Sequence, residues 1–256
     1  MRKIIMKLYE LIKSYGYGVI KITDLAYEDQ KINFQDKSEN LTIFDIGSHE
    51  GKTVMKYRNI FPKSIIYSFE PIKELYEKQK MKFKKDSNIL IYQKIISDVE
   101  GKSPFNINKI DATSSILEPN FNVLPNKYAA SYDTLENTTF ESDRIDSFCK
   151  NNNIRNINIL KCDVQGAELK ILKSAERLLL DQKIDLIYLE CSFVELYSKQ
   201  CMFDEIIVYL FATKYRLHSI YDIQYNFSSG RILQCDAIFV SESEYLNLKS
   251  KINFIK

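Results

Sequence analysis

Residues 41–51 read Leu-Thr-Ile-Phe-Asp-Ile-Gly-Ser-His-Glu-Gly. The apolar residues at the start of this stretch are typical of a buried strand, and the polar turn after them leads into a helical pattern at residues 52–60. The chain has only seven glycines, and two of them, Gly47 and Gly51, lie in this turn. Glycine lets the backbone approach a ligand without an interfering Cβ. We therefore expect a strand, a ligand-binding turn and a helix.

A second apolar run, residues 65–69, is followed by Glu70 and Pro71, and Glu70 lies nineteen positions after Gly51. Nucleotide-binding α/β folds hold ribose hydroxyls with an acidic residue about twenty positions beyond such a turn, at the end of the next strand. The simpler alternative, an acid that leads a helix together with Pro71, is compatible with that role. The two stretches together indicate a nucleoside cofactor.

The turn also restricts the kind of cofactor. Asp45 stands where the dinucleotide fingerprint has its first glycine, so the three-glycine cradle for a pyrophosphate is missing. S-adenosylmethionine has no phosphate, and its ammonium group suits Asp45 while its carboxylate suits free backbone N–H groups. An ordinary strand-to-helix turn is the alternative. The residues of the turn that we expect to contact the cofactor are Asp45, Gly47, Ser48, His49 and Gly51.

Short apolar runs and longer helical patterns alternate from residue 41 onward, which is the signature of a parallel sheet with helices on both faces. We expect strands at residues 41–46, 65–69, 89–95, 157–162 and 185–190. We expect helices near residues 52–60, 72–84, 142–152, 166–181 and 202–213. Two further β-rich runs around Ser228-Ser229-Gly230 predict an antiparallel hairpin of residues 216–223 and 232–240. The fold class is α/β and Rossmann-like, with a mostly parallel seven-stranded sheet, and it favours a Class I methyltransferase over a dehydrogenase.

Two polar features follow the third predicted strand. Ser97 and Asp98 are placed to accept a hydrogen bond from an adenine amino group, although the same residues also form a common turn. Residues 101–141 contain three prolines and many Asn, Ser and Thr. We expect this segment to be a long loop, either a wall of the substrate site or disordered.

The N-terminal segment has its own pattern. Residues 4–14 place apolar side chains at helical spacing and predict an amphipathic helix that packs on its own domain or on a second subunit, as in a homo-oligomer. Residues 30–40 are polar and predict a connector. We divide the chain into an N-terminal helical extension, residues 1–40, and a methyltransferase domain, residues 41–256.

The composition excludes several classes of protein. The 256 residues include 36 basic and 34 acidic side chains, a net charge of +2, which gives little attraction to nucleic acid. No apolar stretch is long enough for a membrane span, and charges interrupt the N-terminus where a signal peptide would be apolar, so we expect a soluble, cytoplasmic protein. Five cysteines without a Cys-x-x-Cys pair indicate buried thiols in a reducing compartment rather than a zinc site.

The most specific stretch is Lys-Cys-Asp-Val-Gln-Gly-Ala-Glu at residues 161–168. Together with the turn and with Phe69-Glu70-Pro71, it closely resembles the FkbM family of S-adenosylmethionine-dependent methyltransferases. The resemblance covers about residues 41–241, and further agreement comes from residues 113–117, 144–148, 188–190 and 234–240. Where the family usually has Ala-Asn, this chain has Ser48-His49. We therefore expect His49 to make the cofactor contact of that Asn.

The resemblance implies a methyl transfer from S-adenosylmethionine to oxygen, usually on a sugar hydroxyl of a glycan or glycan precursor. A lipid-linked, peptide or natural-product acceptor is the first alternative. A methyltransferase-like binding module without turnover is the second. The resemblance also extends the expected cofactor contacts to Pro71 and Asp163.

A hydroxyl that attacks a sulfonium methyl group needs in-line placement and a base for its proton. Asp163 is the first candidate because it ends a central strand beside the turn, and the alternative is that it caps the following helix. Glu190 and Asp236 end other strands, and Lys161 and His218 are further polar candidates. A structural role is the alternative for His218.

The same strand ends also suggest a metal. Asp163 and Glu190 are expected at neighbouring strand ends, where their carboxylates suit Mg²⁺ or another divalent cation. The acceptor diol would then be a metal ligand. The sequence spacing does not identify a third oxygen ligand.

Overall fold

Strands and helices alternate along a computed structural model that describes residues 25–34, 40–124, 129–226 and 229–251. The strands are β1 (Thr42–Ile46), β2 (Ile65–Phe69), β3 (Ile89–Tyr92), β4 (Ile95–Ile96), β5 (Gly101–Asn108), β6 (Thr134–Asp143), β7 (Ile157–Cys162), β8 (Ile184–Ser192), β9 (Tyr215–Tyr225) and β10 (Ile232–Ser241). The helices are α1 (Leu25–Asn33), α2 (Lys52–Ile60), α3 (Lys73–Phe83), α4 (Ile145–Asn151), α5 (Glu168–Ser174), α6 (Glu176–Leu180), α7 (Phe203–Ala212) and α8 (Glu242–Lys251).

The main sheet has seven strands in the order β3-β2-β1-β7-β8-β10-β9. The pairs from β3 through β8 are parallel, and β10 runs antiparallel to both β8 and β9. The strand order reverses direction between β1 and β7, and in open α/β sheets ligands bind at such a switch point, beyond the carboxyl ends of the strands. The predicted Rossmann-like fold with its antiparallel hairpin is confirmed.

The apolar core lies on both faces of this sheet. One cluster, which includes Phe44, Leu160 and Ile187, packs under α4 to α7, and the other, which includes Ile43 and Ile159, packs under α1 and α2. Adjacent residues of one strand point to opposite faces, so a central strand that is covered on both sides reads as a continuous apolar run. The sequence signal of residues 41–46 follows from this burial.

The segment at residues 101–141 differs from the predicted loop. Its described residues form β5 and most of β6, which pair antiparallel, and β6 also pairs parallel with the short β4 in a separate three-stranded sheet. Phe105 and Phe140 pack edge-to-face across this sheet. The sequence does not indicate β6, because much of this strand is exposed and it therefore lacks the apolar run of a buried strand.

Two other predicted elements have different boundaries in the structure. The predicted strand at residues 89–95 ends at Tyr92, since Ile95 and Ile96 belong to the small sheet. The predicted helix at residues 166–181 is two helices, α5 and α6, which meet at Ala175. The five cysteines are free and buried, as predicted. Among the described residues, no helix is both long enough and apolar enough to cross a membrane.

The predicted helix at residues 4–14 lies outside the described residues. Part of the predicted connector is helical instead, because α1 continues to Asn33. Asp29 of α1 accepts hydrogen bonds from Ser219 and Tyr221 of β9, at 3.3 and 2.8 Å, and lies 3.1 Å from the Nε2 atom of His218. These contacts attach α1 to the far edge of the main sheet.

Gly47 determines how closely the turn approaches β7. Its φ angle is +76°, and a Cβ atom added there would lie 2.0 Å from the carbonyl oxygen of Asp163. A side chain is therefore excluded by backbone conformation and by contact with a backbone atom that cannot rotate away. Gly230 has a similar φ of +70° but has nothing within 4 Å of an added Cβ.

Substitution of these two glycines separates strain from contact. We expect Gly230→Ala to cost about 1 kcal/mol, since it brings only the strain of a positive φ. Gly47→Ala adds the collision with Asp163 and should lower the free energy of unfolding by several times as much, which urea denaturation followed by circular dichroism measures. Equal losses in the two variants would contradict the close approach of the turn to β7.

Candidate active site

A cavity of about 240 Å³ lies beside the turn, at the carboxyl ends of β1, β2 and β7. We call it the turn cavity. Its polar side is lined by Gly47, His49, Glu70, Asp163 and Gln165. Its apolar side is lined mainly by Ile72, Leu75, Ile95, Ile96, Phe105 and Ile116. A cavity with one polar and one apolar side suits a ligand that joins a polar group to a flat apolar ring.

Glu70 lies between these two sides and is only 4% exposed. Its carboxylate accepts hydrogen bonds from the backbone N–H groups of His49, at 2.8 Å, and Ile72, at 2.9 Å. Burial raises the pKa of Glu70 to about 7, because it outweighs these two hydrogen bonds. The two N–H groups fix the carboxylate where it can accept hydrogen bonds from a diol.

The turn itself is held by a buried polar network beneath the cavity. Ser68 and Gln79 each donate a hydrogen bond of 2.8 Å to the hydroxyl of Ser48. Gln79 also donates to the carbonyl oxygen of His49, at 2.7 Å, and its side chain packs where a Cβ on Gly51 would lie. Ser48 and Gly51 therefore shape the turn, and neither lines the turn cavity, unlike the prediction.

The backbone N–H groups of the turn are also already engaged. Those of Gly47 and Ser48 donate to the carbonyl oxygen of Phe69, that of His49 donates to Glu70, and that of Gly51 donates to Ser48. The prediction that these groups are free to hold a ligand carboxylate is therefore wrong for these four residues. The parallel pairing of β1 with β2 explains this, because it carries the turn over the end of β2.

Parallel pairing also brings polar side chains of three strands together. Asp45 of β1 lies beside Lys161 of β7, which lies beside Tyr188 of β8. The Lys161 ammonium is 3.6 Å from Asp45 and donates to Asp163, at 3.2 Å. Burial lowers the pKa of Lys161, but Asp163 and Asp45 outweigh it and raise the pKa above its usual range. The lysine is therefore held as a cation.

Asp45 is fully buried and does not line the turn cavity. Neither of its carboxylate oxygens has a hydrogen-bond partner in the described structure. Burial raises its pKa to about 6, since the attraction of Lys161 only partly offsets the desolvation. An unsatisfied buried carboxylate is costly. The charge that offsets this cost is the Lys161 ammonium, 3.6 Å away, rather than a ligand. The direct cofactor contact predicted for Asp45 is not made through the lining of the turn cavity.

A second, smaller cavity of about 80 Å³ lies on the other side of Asp163. We call it the acidic cavity, and it is lined by Tyr27, Thr53, Lys161, Asp163, Tyr188, Leu189, Glu190 and Asp236. Tyr188 donates a short hydrogen bond to Asp236. Burial raises the pKa of Asp236 to about 6. Three of the four predicted catalytic residues, and Asp236, therefore meet in one place.

Asp163 lines both cavities. It accepts one hydrogen bond from Lys161 and another from the side-chain amide of Gln165, at 3.0 Å. Burial raises the pKa of Asp163, but the Lys161 ammonium and the Gln165 amide outweigh it and hold the pKa below its usual range. The alternative role as a helix cap is not found, because α5 begins at Glu168 with Ala167 before it.

The predicted metal pair has an amide between its carboxylates. Gln165 donates to Asp163, at 3.0 Å, and to Glu190, at 3.2 Å. Burial, and then the charge of Asp163, raise the pKa of Glu190 well above its usual value. Within the described residues, no three His, Cys, Asp or Glu side chains are grouped so as to hold a metal ion. The bridge by Gln165 accounts for the proximity of the two acids without a cation.

His218 lies away from both cavities. Its Nε2 atom is 3.1 Å from Asp29 of α1, and the side chain lines neither the turn cavity nor the acidic cavity. The geometry supports the structural role of His218 and does not support a catalytic role. The sequence could not decide this, because the partner of His218 lies 189 positions away in the chain.

Ser97 and Asp98 line a third cavity, with Lys170 and Lys173, rather than the turn cavity. Ser97 is buried and lies 3.2 Å from the hydroxyl of Ser142, while Asp98 pairs with Lys170 at 3.3 Å. The structure therefore does not bring the predicted adenine contact to the expected ligand site. Chain direction explains the difference, because the chain leaves the main sheet at Tyr92.

The sequence did not identify several residues that line the turn cavity. Phe105, Asp111 and Ile116 come from the segment between β4 and β6 and close the turn cavity from above. Asp111 accepts a hydrogen bond from the His49 ring in one tautomer, at 3.0 Å, and this contact lowers the pKa of Asp111. Gln165 was visible in the most specific stretch, but nothing in its spacing revealed that it joins two carboxylates.

Comparison with known proteins agrees with this geometry. Residues 45–217 match the family described as the methyltransferase FkbM domain. The chain belongs to the FkbM methyltransferase family. The match spans the turn, the 161–168 stretch and the start of β9, and the predictions of this family and of an S-adenosylmethionine-dependent O-methyltransferase are confirmed. A curated relative, the 2-O-methyltransferase NoeI of Sinorhizobium fredii, is 23% identical over 202 residues, which cover 77% of this chain and 82% of the relative.

Solved structures with a similar arrangement are more distant. Magnesium protoporphyrin IX methyltransferase (ChlM) of Synechocystis, with bound S-adenosylmethionine, has a TM-score of 0.46 and 9% identity, over 90% of this chain and 89% of that one. Fibrillarin of Aeropyrum pernix has a TM-score of 0.45 and 12% identity, over 79% and 67%. These similarities are too low to inform the function of this FkbM protein.

The residues of the turn cavity fit S-adenosylmethionine, the cofactor of the enzyme. Glu70 would hold the ribose diol, and Ile72, Ile95 and Phe105 offer an apolar surface for the adenine ring. The polar residues, with Asp163, would lie near the charged end of the molecule. A pyrophosphate would instead meet the carboxylates of Glu70, Asp111 and Asp163, which outnumber the single ammonium of Lys94 and would repel it.

Glu70→Gln tests the ribose assignment. The amide keeps its shape but removes the charge that strengthens hydrogen bonds from the diol, so we expect a loss of about 1.5–3 kcal/mol in binding S-adenosylmethionine, measured by calorimetry. Because the diol favours ionised Glu70, binding by the wild type should also weaken as the pH falls through about 7. The variant should lose that pH dependence.

The exposed Glu74, in the first turn of α3, supplies the control. Glu74→Gln should bind the cofactor as the wild type does, with the same pH dependence. If Glu70→Gln also binds normally, Glu70 does not hold the ribose.

Proposed function

We propose that the enzyme transfers the methyl group of S-adenosylmethionine to a sugar hydroxyl of a glycan or glycan precursor. The observation that carries this proposal is the position of Asp163, which lines both the turn cavity and the acidic cavity. A cofactor in the first cavity and an acceptor in the second would meet at this side chain. The name of the relative NoeI, a 2-O-methyltransferase, supports oxygen as the methylated atom.

Asp163 is the proposed base. When bound, S-adenosylmethionine supplies an electrophilic methyl group on its sulfonium. The Asp163 carboxylate would accept the proton of the acceptor hydroxyl whose oxygen takes up this methyl group. Each oxygen of this carboxylate accepts one hydrogen bond, from Lys161 in the lining of the acidic cavity and from Gln165 in the lining of the turn cavity. They keep it ionised and oriented, which general base catalysis requires.

The lining of the acidic cavity supports a hydroxyl-rich acceptor. Carboxylates accept hydrogen bonds from hydroxyls, and Tyr27, Thr53 and Tyr188 add hydroxyl groups of their own. At about 80 Å³, the cavity admits one edge of a sugar rather than a whole ring. Asp163 and Asp236 together outweigh the single ammonium of Lys161 and would repel an acceptor that carries a carboxylate or phosphate at that edge.

Acceptor specificity is tested with matched sugars. We expect methyl transfer from labelled cofactor to neutral methyl glycosides and much weaker transfer to the corresponding methyl glycuronides, which differ in one carboxylate. Mass spectrometry of the product locates the methyl group on oxygen. Transfer to lipid-linked or peptide acceptors alone would contradict the sugar proposal. Cofactor binding without transfer to any of these classes would favour a binding module.

Asp163→Asn tests the base. We expect the turnover rate at saturating cofactor to fall by about 10²-fold or more, because a positioned base contributes about that factor, while cofactor affinity changes little. Asp181→Asn, on an exposed loop residue, is the control and should leave the rate unchanged. If the Asp163→Asn variant retains turnover, another residue is the base.

The pH dependence identifies the alternative base. A depressed pKa keeps Asp163 ionised as the pH falls, so turnover at saturating cofactor should be nearly the same at pH 6 as at neutral pH. If Asp236 were the base, its pKa of about 6 would halve the rate near that pH. Such a midpoint would count against Asp163.

A further inference from the structure

Helix α1 lies outside the part of the chain that matches the FkbM family, which begins at residue 45. It nevertheless buries three side chains, those of Ala26, Tyr27 and Gln30. Ala26 and Tyr27 belong to the apolar cluster that covers β1, β7 and β8. The helix is therefore part of the folded domain rather than a separate extension.

Two sets of contacts fix the position of α1. Gln30 is fully buried and accepts a hydrogen bond of 2.9 Å from the hydroxyl of Tyr57 in α2. On the other side, Asp29 is bound by Ser219, Tyr221 and His218 of β9. Because α2 and β9 lie at different places along the sheet, α1 spans the gap between them.

Tyr27 is the residue through which α1 reaches the acidic cavity. Its ring packs edge-on against Tyr57 and Tyr188, with centroids 5.5 and 5.7 Å away, and the Lys56 ammonium lies 4.3 Å from its centroid. These contacts fix the ring on both sides. Tyr188 in turn donates to Asp236, so the phenol ring of Tyr27 is packed directly on the wall of this cavity.

Tyr27 lines the acidic cavity together with Thr53, Lys161 and Asp236. The charges of Lys161, Asp45 and Asp236 are near enough to influence the ionisation of its hydroxyl. Burial raises the pKa of Tyr27 to about 12, which leaves the phenol neutral and able to donate a hydrogen bond. A neutral donor among carboxylates complements an acceptor that presents hydroxyl oxygens.

We propose that Tyr27 binds the acceptor through its hydroxyl, so that α1, which precedes the family domain, completes the acceptor site. This rests on the proposed function, which places the acceptor in the acidic cavity. The ring of Tyr27 forms one wall, and its hydroxyl, next to Thr53, forms a hydrogen bond with an acceptor oxygen. The role is in binding, since Asp163 accepts the proton.

Tyr27→Phe removes the hydroxyl and keeps the ring. We expect the KM for the acceptor to rise about three- to tenfold, the effect of one neutral hydrogen bond. The turnover rate should stay within about twofold, because a hydrogen bond made equally in the ground and transition states changes KM alone. Cofactor affinity should not change. Tyr245→Phe, on α8, is the matched control and should behave as the wild type.

A second variant distinguishes the loss of a hydroxyl in the acidic cavity from a disturbance of helix α1. Thr53→Val, on α2, removes the hydroxyl that lines the acidic cavity beside Tyr27 without changing α1, and we expect a KM increase in the same direction. Thermal unfolding of each variant identifies any loss of folding. An unchanged acceptor KM in Tyr27→Phe would overturn the inference while the proposed function stands.

The choice of acceptor separates the two proposals. If the wild type methylates an acceptor of another class, the sugar proposal fails, and the same KM comparison is made with that acceptor. If the wild type methylates none of the acceptors, the proposed function fails, and the assignment of Tyr27 fails with it.

Discussion

The buried ion cluster of Asp45, Lys161 and Asp163 is the constraint on which the site depends. A lysine ammonium in this position would lose most of its hydration, and the two carboxylates offset that cost. Only the Lys161–Asp45 pair is buried, with side chains 9% and 0% exposed, while the Asp163 side chain is 40% exposed. Removing one partner from such a buried pair typically costs about 3–5 kcal/mol, since an uncompensated charge is left behind. The cluster exists because parallel pairing places Asp45 beside Lys161, and two residues later the chain presents Asp163 on the same face.

This cluster also divides the ligand-binding region. Asp163 lines both the turn cavity and the acidic cavity, and each of its two hydrogen-bond partners, Gln165 and Lys161, lines one of them. The close approach of Gly47 to the backbone of Asp163 keeps the turn and the end of β7 together. A methyl donor and an acceptor must meet within van der Waals distance. A single residue that lines both cavities meets that requirement.

Two segments outside the main sheet, the β5–β6 segment and helix α1, each complete one of the cavities. The β5–β6 segment supplies apolar residues and Asp111 to the turn cavity. Helix α1 supplies Tyr27 to the acidic cavity. Neither addition carries charge of its own into the ion cluster. The conserved physical scheme of a Rossmann-like sheet, with ligands at the switch point, is thus combined with walls that come from segments outside it.

The sequence by itself determined the fold class, the family and the two acids Glu70 and Asp163. Buried parallel strands read as apolar runs, and the turns at their carboxyl ends are local, so both leave a signal in consecutive residues. Only the tertiary structure decided which groups surround Tyr27, His218, Asp98 and Gln165. Their partners are distant in the chain, and which charged groups meet depends on strand register and on where the chain leaves the sheet. Hydrogen bonds and desolvation act through space, so residues far apart in sequence set the chemistry of the site.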